Sequence, residues 1–394
     1  MKVALLSDCY PPRVGGIESQ VSDLAAQLVG AGHEVAVLTA TAGAGTLTKG
    51  AVEEVPVPGG PVLVHRLSHP AMLGVPIQPW AAPELRRRLV AGGYDVAHVH
   101  MGVVSPFAWD ATRVATTLGL PTVVTWHCVL DRAAPPWRWS GAPARWVRRG
   151  AVLSAVSGYA AEGVRAAAPG APVAVLPNGI DVSWWAPAGG VPGGRRGSSL
   201  TVVSTLRLAP RKRPGVLLDV VGEVRRRTGV DVRLEVYGDG PLRSRLGRRV
   251  AREGLDWARL VGRVPRASLP ERHAAADVYL APTRLEAFGI AALEARTAGL
   301  PVVARSDSGT RDVVEHEVSG LLAADDAGLI DALERLVREP DLRARIAARS
   351  AAVPPEQAWP RVVAAVEAEY RRALRRPPLD VRDPGPARRR ARGH

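Results

Sequence analysis

Short apolar runs alternate with amphipathic stretches along most of the chain. KVALLSD at 2–8 is an apolar run closed by polar residues, the pattern of a strand buried on both faces. In GGIESQVSDLAAQLVGAG, which follows, Ile17, Val21, Leu24, Ala25 and Leu28 are spaced for one face of a helix, and Gly30 and Gly32 mark its stop. HEVAVLTA is again a strand, so a βαβ unit fills the first 40 residues. DVAHVH, PTVVTWH, AVLSAVS and VAVLPNG continue the series of apolar strands that end in polar residues. Strands of this kind belong to a parallel sheet covered by helices on both sides.

The periodicity lapses at 186–198, a Gly/Pro/Ser-rich stretch (APAGGVPGGRRGS) that reads as a linker. It then restarts with LTVVSTL, a helix near 214–227, VRLEVYG, a helix near 241–254, ARLVG, DVYLAPT, a helix from Phe288, PVVAR and a helix near 327–338. The expected architecture is therefore two successive doubly wound α/β domains, 1–185 and 199–355, facing a cleft. A final amphipathic helix within 356–376 is expected to pack back on the first domain, and the basic tail 377–394 is expected to be disordered. In open parallel sheets ligands bind beyond the carboxyl ends of the strands, so candidate chemistry is sought there.

Composition narrows the partners. Apolar residues make up 46% of the 394, enough for real cores, and the formal net charge is +14. Only Lys2, Lys49 and Lys212 are lysines, and much of the arginine accompanies an Ala-, Gly- and Pro-rich composition typical of GC-rich coding. Nucleic acid is thus not the expected partner; a nucleotide diphosphate or an anionic lipid surface suits the charge as well. Cys9 and Cys128 have no metal-ligand spacing and form no disulfide framework. No stretch of about 18 apolar residues is present, so the expected place is the cytoplasm, with peripheral attachment to the inner face of the cell membrane as its variant.

Several strand ends carry groups suited to anions and sugars. Gly15-Gly16 opens a helix whose free N–H groups suit a phosphate, although the full dinucleotide fingerprint is absent and a tight turn explains the pair equally well. Arg207 and Lys212 follow the first strand of the second half, where cations can hold a diphosphate; Arg211 and Arg213 read as solvated. Glu286 lies in the exit loop of DVYLAPT, and Glu294 lies inside the next helix, whose N-terminus at Gly289-Ile290-Ala291 suits an anion. His127 ends the strand TVVTWH, and of His98 and His100 the latter is expected to face the cleft. No Asp-x-Asp or His/Cys cluster reads as a metal site.

The order and spacing of GGIE, PNGID (177–181), RLAPRK (207–212), YGDGP (237–241) and PTRLEAFGIAALEARTAGLPVVARSDSG (282–309) resemble the retaining glycosyltransferases of family 4, with the GT-B fold of two Rossmann-like domains, over about residues 1–370. Within that family, the stretch DVAHVHMGVVSPFAWDATRVATTLGLPTVVTWHCVL is similar to the GlcNAc-transferase subunit that starts GPI-anchor synthesis and to actinobacterial phosphatidylinositol mannosyltransferases. The resemblance implies transfer of a GlcNAc-, mannose- or glucose-type hexose from a UDP- or GDP-sugar to an acceptor hydroxyl, on a small molecule or on a lipid or inositol-type acceptor. It implies that Arg207 and Lys212 bind the diphosphate, Glu286 and His127 face the sugar, and Glu294 takes the ribose hydroxyls. Phe288, Gly289, Ile290 and Ala291 would line sugar and phosphate, Gly16 would close on the phosphate, and Arg263-Val264 would meet the base. No cofactor or metal is expected. A nucleotide-sugar epimerase of the same fold and a non-catalytic nucleotide-sugar-binding protein are the alternatives.

Eight of the ten tryptophans fall before residue 186 (Trp80, Trp109, Trp126, Trp137, Trp139, Trp146, Trp184 and Trp185). The Trp/Arg mixture at 137–149 suits an anionic membrane surface, against the alternative that its tryptophans pack in a core.

Overall fold

In the first strand Val3 and Leu5 face one side of a sheet and Ala4 and Leu6 the other, and all four are fully buried, as the unbroken apolar run requires. The computed structural model describes residues 1–43, 51–67, 81–186 and 199–376. Its first sheet contains β1 (Lys2–Ser7), β2 (Glu34–Thr39), β3 (Val52–Val57), β4 (Gly60–Arg66), β5 (Val96–Met101), β6 (Thr122–Trp126), β7 (Val152–Ala155) and β8 (Val173–Val175). The spatial order is β3-β4-β2-β1-β5-β6-β7-β8. All neighbours are parallel except the edge pair β3 and β4, an antiparallel hairpin that the apolar runs did not announce. Its strand VEEVPV alternates in exposure, as an edge strand half in water does, and Gly59 turns the chain at a φ of 96°.

The second sheet contains β9 (Ser199–Thr205), β10 (Asp231–Tyr237), β11 (Ala258–Gly262), β12 (Val278–Ala281), β13 (Val302–Arg305) and β14 (Gly320–Ala323). Its order is β11-β10-β9-β12-β13-β14, parallel throughout. Both sheets reverse their winding direction beside the first strand, at β1/β5 and at β9/β12. Crevices for ligands form at such switch points. The expected linker lies almost wholly in 187–198, and the basic tail in 377–394, both outside the described residues.

The helix Trp359–Leu374 lies on the first sheet, where Trp359, Val362, Val363, Val366 and Tyr370 share a core with Val3, Leu5, Val21 and Leu28. Glu367 bonds His33 at 2.9 Å, and Tyr370 lies 2.9 Å from His98 Nδ1. Gly179 is the contact that admits Trp359, because a Cβ there would sit 2.2 Å from the indole ring. Apolar packing also crosses between the sheets, through the fully buried Trp185 to His273 at 5.4 Å between ring centroids.

The tryptophan segment divides. Trp137 and Trp146 are buried and pack with Trp109 and Trp126, with ring centroids 4.9 Å (Trp109–Trp137) and 5.2 Å (Trp109–Trp146) apart. The reading of the whole segment as a membrane surface is therefore corrected: its helices Ala134–Ser140 and Ala142–Arg148 turn these two indoles inward to close a core. Trp139, 81% exposed, faces out with Arg138, Arg145 and Arg148.

Candidate active site

The loops after β9 and β12 carry the charged groups, and two glycines shape the first of them. Leu206 and Leu208 donate to the carbonyls of Tyr237 and Asp239 at 3.0 Å each, so the loop after β10 runs tightly beside the loop after β9. Only glycine allows that approach. Gly238 has φ 129° and a Cβ there would lie 2.0 Å from the Leu206 carbonyl oxygen; at Gly240 it would lie 2.6 Å from that of Leu208. Arg207, between the two anchored leucines, is exposed, and its guanidinium has no partner among the described residues.

Lys212 ends the short 3₁₀ turn Pro210–Lys212, and its ammonium donates to the Glu286 carboxylate. Arg213 brings these two loops together. At φ 53° its guanidinium donates to the Pro282 carbonyl at 3.1 Å and to Asp326 at 2.9 Å. The reading of Arg213 as a solvated charge is corrected: it is half-buried and braces the loop that carries Lys212 against the one that carries Glu286.

Beyond Glu286, Phe288 is buried and Gly289 caps the helix Ile290–Thr297 in a left-handed conformation at φ 90°. A Cβ at Gly289 would lie 2.7 Å from Thr310 Oγ1. Among the described residues no side chain caps this helix, and the first-turn N–H groups of Ile290 and Ala291, which have no intrahelical partner, carry its partial positive charge. One turn further, Glu294 is 8% exposed; burial pushes its carboxyl up to about 7, and Arg266, at 3.7 Å, opposes that shift. Arg263 and Val264 follow β11, the arginine exposed and the valine half-buried, in the same segment as Arg266.

From the first sheet, Gly16 starts the helix Gly16–Gly30 and is exposed, with open space where a side chain would begin. The buried Glu18 already places a carboxylate in that first turn, so the anion-binding capacity of this helix end is partly used. His127 follows β6 directly, with its Nε2 2.9 Å from His100 Nδ1, and the Asn178 side chain is beside it. Burial pulls His127 down to about 4, so the ring is neutral at physiological pH. His98 bonds Tyr370 and, at 2.7 Å, Thr125; its ring is 4.3 Å from that of His100, so a buried polar chain runs from the last helix to His127.

The two units meet at both ends of the cleft. Ser157 donates to the Ala287 carbonyl, the Gly158 N–H to Asp312, and Arg311 pairs with Glu162. At the other end Arg266 donates to Asp23 at 3.2 Å. Sequence reasoning missed Ser157, Asp312, Asp23 and Arg266, because their roles depend on which loops oppose each other across the cleft. A crevice of about 470 Å³ beside Phe288, lined by Pro177, Asp312, Gln357 and Arg361, lies apart from Glu286, Lys212 and Glu294. Among the described residues no group of three or more His, Cys, Asp or Glu could hold a metal ion, and no helix is long and apolar enough to cross a membrane.

The family described as Glycosyltransferase Family 4 matches residues 14–184, and the one described as Glycosyl transferases group 1 matches residues 192–352. A phosphatidyl-myo-inositol mannosyltransferase of Mycobacterium leprae is 30% identical over 90% of this chain and 92% of its own length. The chain belongs to glycosyltransferase family 4. This glycosyltransferase is also 29% identical to a GDP-mannose-dependent alpha-(1-6)-phosphatidylinositol monomannoside mannosyltransferase of Mycobacterium tuberculosis, over 82% of this chain and 84% of that one. It is 27% identical to a phosphatidylinositol N-acetylglucosaminyltransferase chain of Arabidopsis thaliana, over 86% and 74%. In fold it matches the sucrose-phosphate synthase of Thermosynechococcus elongatus with a TM-score of 0.71 at 19% identity, over 94% of this chain and 98% of that one. Anabaena HepE, solved with UDP and glucose, gives 0.68 at 19%, over 93% and 98%. The two parallel-sheet units are thus those of the GT-B fold.

Proposed function

We propose that this glycosyltransferase moves a hexose, with retention at the anomeric carbon, from a UDP- or GDP-sugar to a hydroxyl of an inositol-type acceptor that is free or lipid-linked. The observation that carries this reading is the Lys212–Glu286 pair beside the N-terminus of Ile290–Thr297, with Arg207, which has no side-chain partner among the described residues, on the same loop as Lys212. Breaking a sugar–phosphate bond places negative charge on the departing diphosphate, and Lys212, Arg207 and the N–H groups of Ile290 and Ala291 supply positive potential for it. Phe288 and Gly289 form the wall between sugar and phosphate, and Gly16 closes from the first sheet. Glu286 holds sugar hydroxyls, Glu294 the ribose, and Arg263-Val264 the base. These positions suit a molecule with hydroxyl-rich ends and a diphosphate between them.

In the transfer itself, the bond from the anomeric carbon to the phosphate oxygen breaks as the acceptor oxygen bonds to the same face of that carbon. The acceptor proton passes to the leaving phosphate, so no enzyme nucleophile is needed. The neutral His127 faces the sugar without taking that proton. The charge stabilisation comes from side chains and backbone, which makes a metal unnecessary. The inositol-type acceptor is supported by the relatives, which are named for action on phosphatidylinositol or its mannoside.

The test is incubation of the purified chain with a panel of UDP- and GDP-sugars, each with myo-inositol, inositol phosphate or phosphatidylinositol, with and without EDTA. A glycosylated inositol product of retained configuration, formed equally in EDTA, is expected. Epimerised nucleotide sugar without acceptor product supports the epimerase instead, and binding without any turnover supports the non-catalytic alternative.

The lipid-linked form of the acceptor has a structural correlate. The hairpin that leaves β6 a few residues after His127 exposes Trp139 with Arg132, Arg138, Arg145 and Arg148, a combination suited to an anionic interface. Trp139→Ala is expected to weaken co-sedimentation with phosphatidylinositol-containing vesicles by about fivefold or more, in line with the loss of one interfacial anchor. Turnover of a water-soluble inositol acceptor is expected to be unchanged. Equal sedimentation of the two proteins would remove this surface from the account.

A further inference from the structure

Among the described residues the guanidinium of Arg266 has neighbours from three parts of the chain. Its Nη1 donates to Asp23 Oδ2 at 3.2 Å, on the helix Gly16–Gly30 of the first unit. Its Nη2 lies 3.7 Å from Glu294 Oε1, in the second unit. Its Cζ lies over the ring of Trp184, 5.0 Å from the centroid, in the short helix Val182–Trp185 that leads out of the first unit. We propose that Arg266 is a positioning residue for the nucleotide donor, holding Glu294 at the ribose end of the site and tying it across the cleft to Asp23. The proposal rests on the reading of Glu294 as the ribose-binding group.

An exposed ion pair contributes little, but Glu294 is not exposed. A buried carboxylate without a cation tends to take up a proton, and a protonated carboxyl accepts hydrogen bonds from two ribose hydroxyls less well than a carboxylate does. Burial is the largest influence on Glu294, the Asp23 carboxylate adds to it, and Arg266 is the cation that opposes both. Asp23 is itself raised by burial and by Asp181, and is likewise held down by Arg266. Tyr279 also lies within electrostatic reach of Glu294. One planar guanidinium can therefore serve two acids on opposite walls while lying over an indole. An ammonium point charge cannot do this as well.

The experiment titrates UDP and GDP, by calorimetry at pH 7 and pH 8.5, into the wild-type chain and into Arg266→Ala, Arg266→Lys and Asp23→Asn, with donor KM and kcat measured alongside. Arg266→Ala is expected to weaken nucleotide binding at pH 7 about five- to tenfold, the size of a one-unit rise in the carboxyl pKa. The loss falls on donor KM rather than kcat, and most of it returns at pH 8.5, where Glu294 is ionised again. Arg266→Lys recovers part, and Asp23→Asn loses about two- to threefold at pH 8.5, where Glu294 is ionised with or without the Asp23 carboxylate, as the cross-cleft tie is lost. A purely structural role would not produce recovery with pH. Arg266→Ala binding equal to wild type, or a loss that pH 8.5 leaves in place, overturns the proposal alone. A wild-type chain that binds neither nucleotide overturns the reading of the site and the proposal with it. Should Arg266→Ala fail to fold, Arg266→Lys at pH 7 and Asp23→Asn at pH 8.5 both binding as wild type does would overturn it equally.

Discussion

Lys212→Ala is expected to lower kcat for sugar transfer by about 10²- to 10³-fold, the range seen when one preorganised charge-stabilising group is removed from an active site. The Lys212 ammonium is paired with Glu286, and a diphosphate in the site would compete for the same cation. The cost should fall on the chemical step, because the charge that Lys212 meets is largest as the sugar–phosphate bond breaks. The fold should survive, since the Lys212 loop is braced by Arg213 through Pro282 and Asp326 rather than by Lys212 itself. Lys212→Arg should recover only part of the rate, because a planar guanidinium does not place its charge where the ammonium does. Glu286→Ala should reduce kcat by a comparable factor if it holds the sugar, and the double variant should lose less than the product of the two single losses, since the residues form one unit. Steady-state turnover at saturating donor decides the matter. A Lys212→Ala kcat within about threefold of wild type would show that the diphosphate is neutralised elsewhere.

Glu294 should set a pH dependence of opposite sign for binding and for stability. Its carboxyl is raised by burial to about 7, so it becomes ionised as pH rises through that value. Donor binding, which uses the ionised form, should tighten from pH 6 to pH 8 and then level off. Stability goes the other way. A carboxyl whose folded pKa exceeds its unfolded value contributes stability below the unfolded pKa, and that contribution is lost as pH rises through about 7. Glu294→Gln should therefore weaken donor binding at pH 8 about tenfold or more and remove its pH dependence, as expected for loss of charge-assisted hydrogen bonds. The same variant should be more stable than wild type at pH 8, by up to about 3 kcal/mol at roughly 1.4 kcal/mol per pKa unit. Calorimetric titration with nucleotide and thermal unfolding at pH 6, 7 and 8 test both halves. A Gln variant that keeps wild-type affinity and its pH profile would remove Glu294 from the ribose site.

Much of this was legible in the chain. Val3 to Leu6 announce a strand covered on both sides because every residue is apolar, and Val21, Leu24, Ala25 and Leu28 announce the buried face of the next helix. The edge hairpin β3–β4 was not announced, because VEEVPV has half its side chains in water and lacks the unbroken apolar run. Charge was read less well than hydrophobicity. Arg213 and Arg207 look alike in RLAPRKRP, yet one braces two loops while the other stands free among the described residues. Trp137 and Trp139 are two residues apart, yet one is core and the other 81% exposed, since the indole that faces inward depends on the neighbours the helix meets.

The sequence by itself determined the two α/β units, the family, and a set of glycines and charged residues at strand ends, because backbone periodicity and loop geometry are local properties. The tertiary structure alone decided which of those groups oppose one another: Lys212 with Glu286, His127 with His100, and Arg266 between Asp23 and Glu294. Each of these pairings joins residues far apart in the chain, and the long-range charge and desolvation that govern them arise only when loops from separate strands close around the same space.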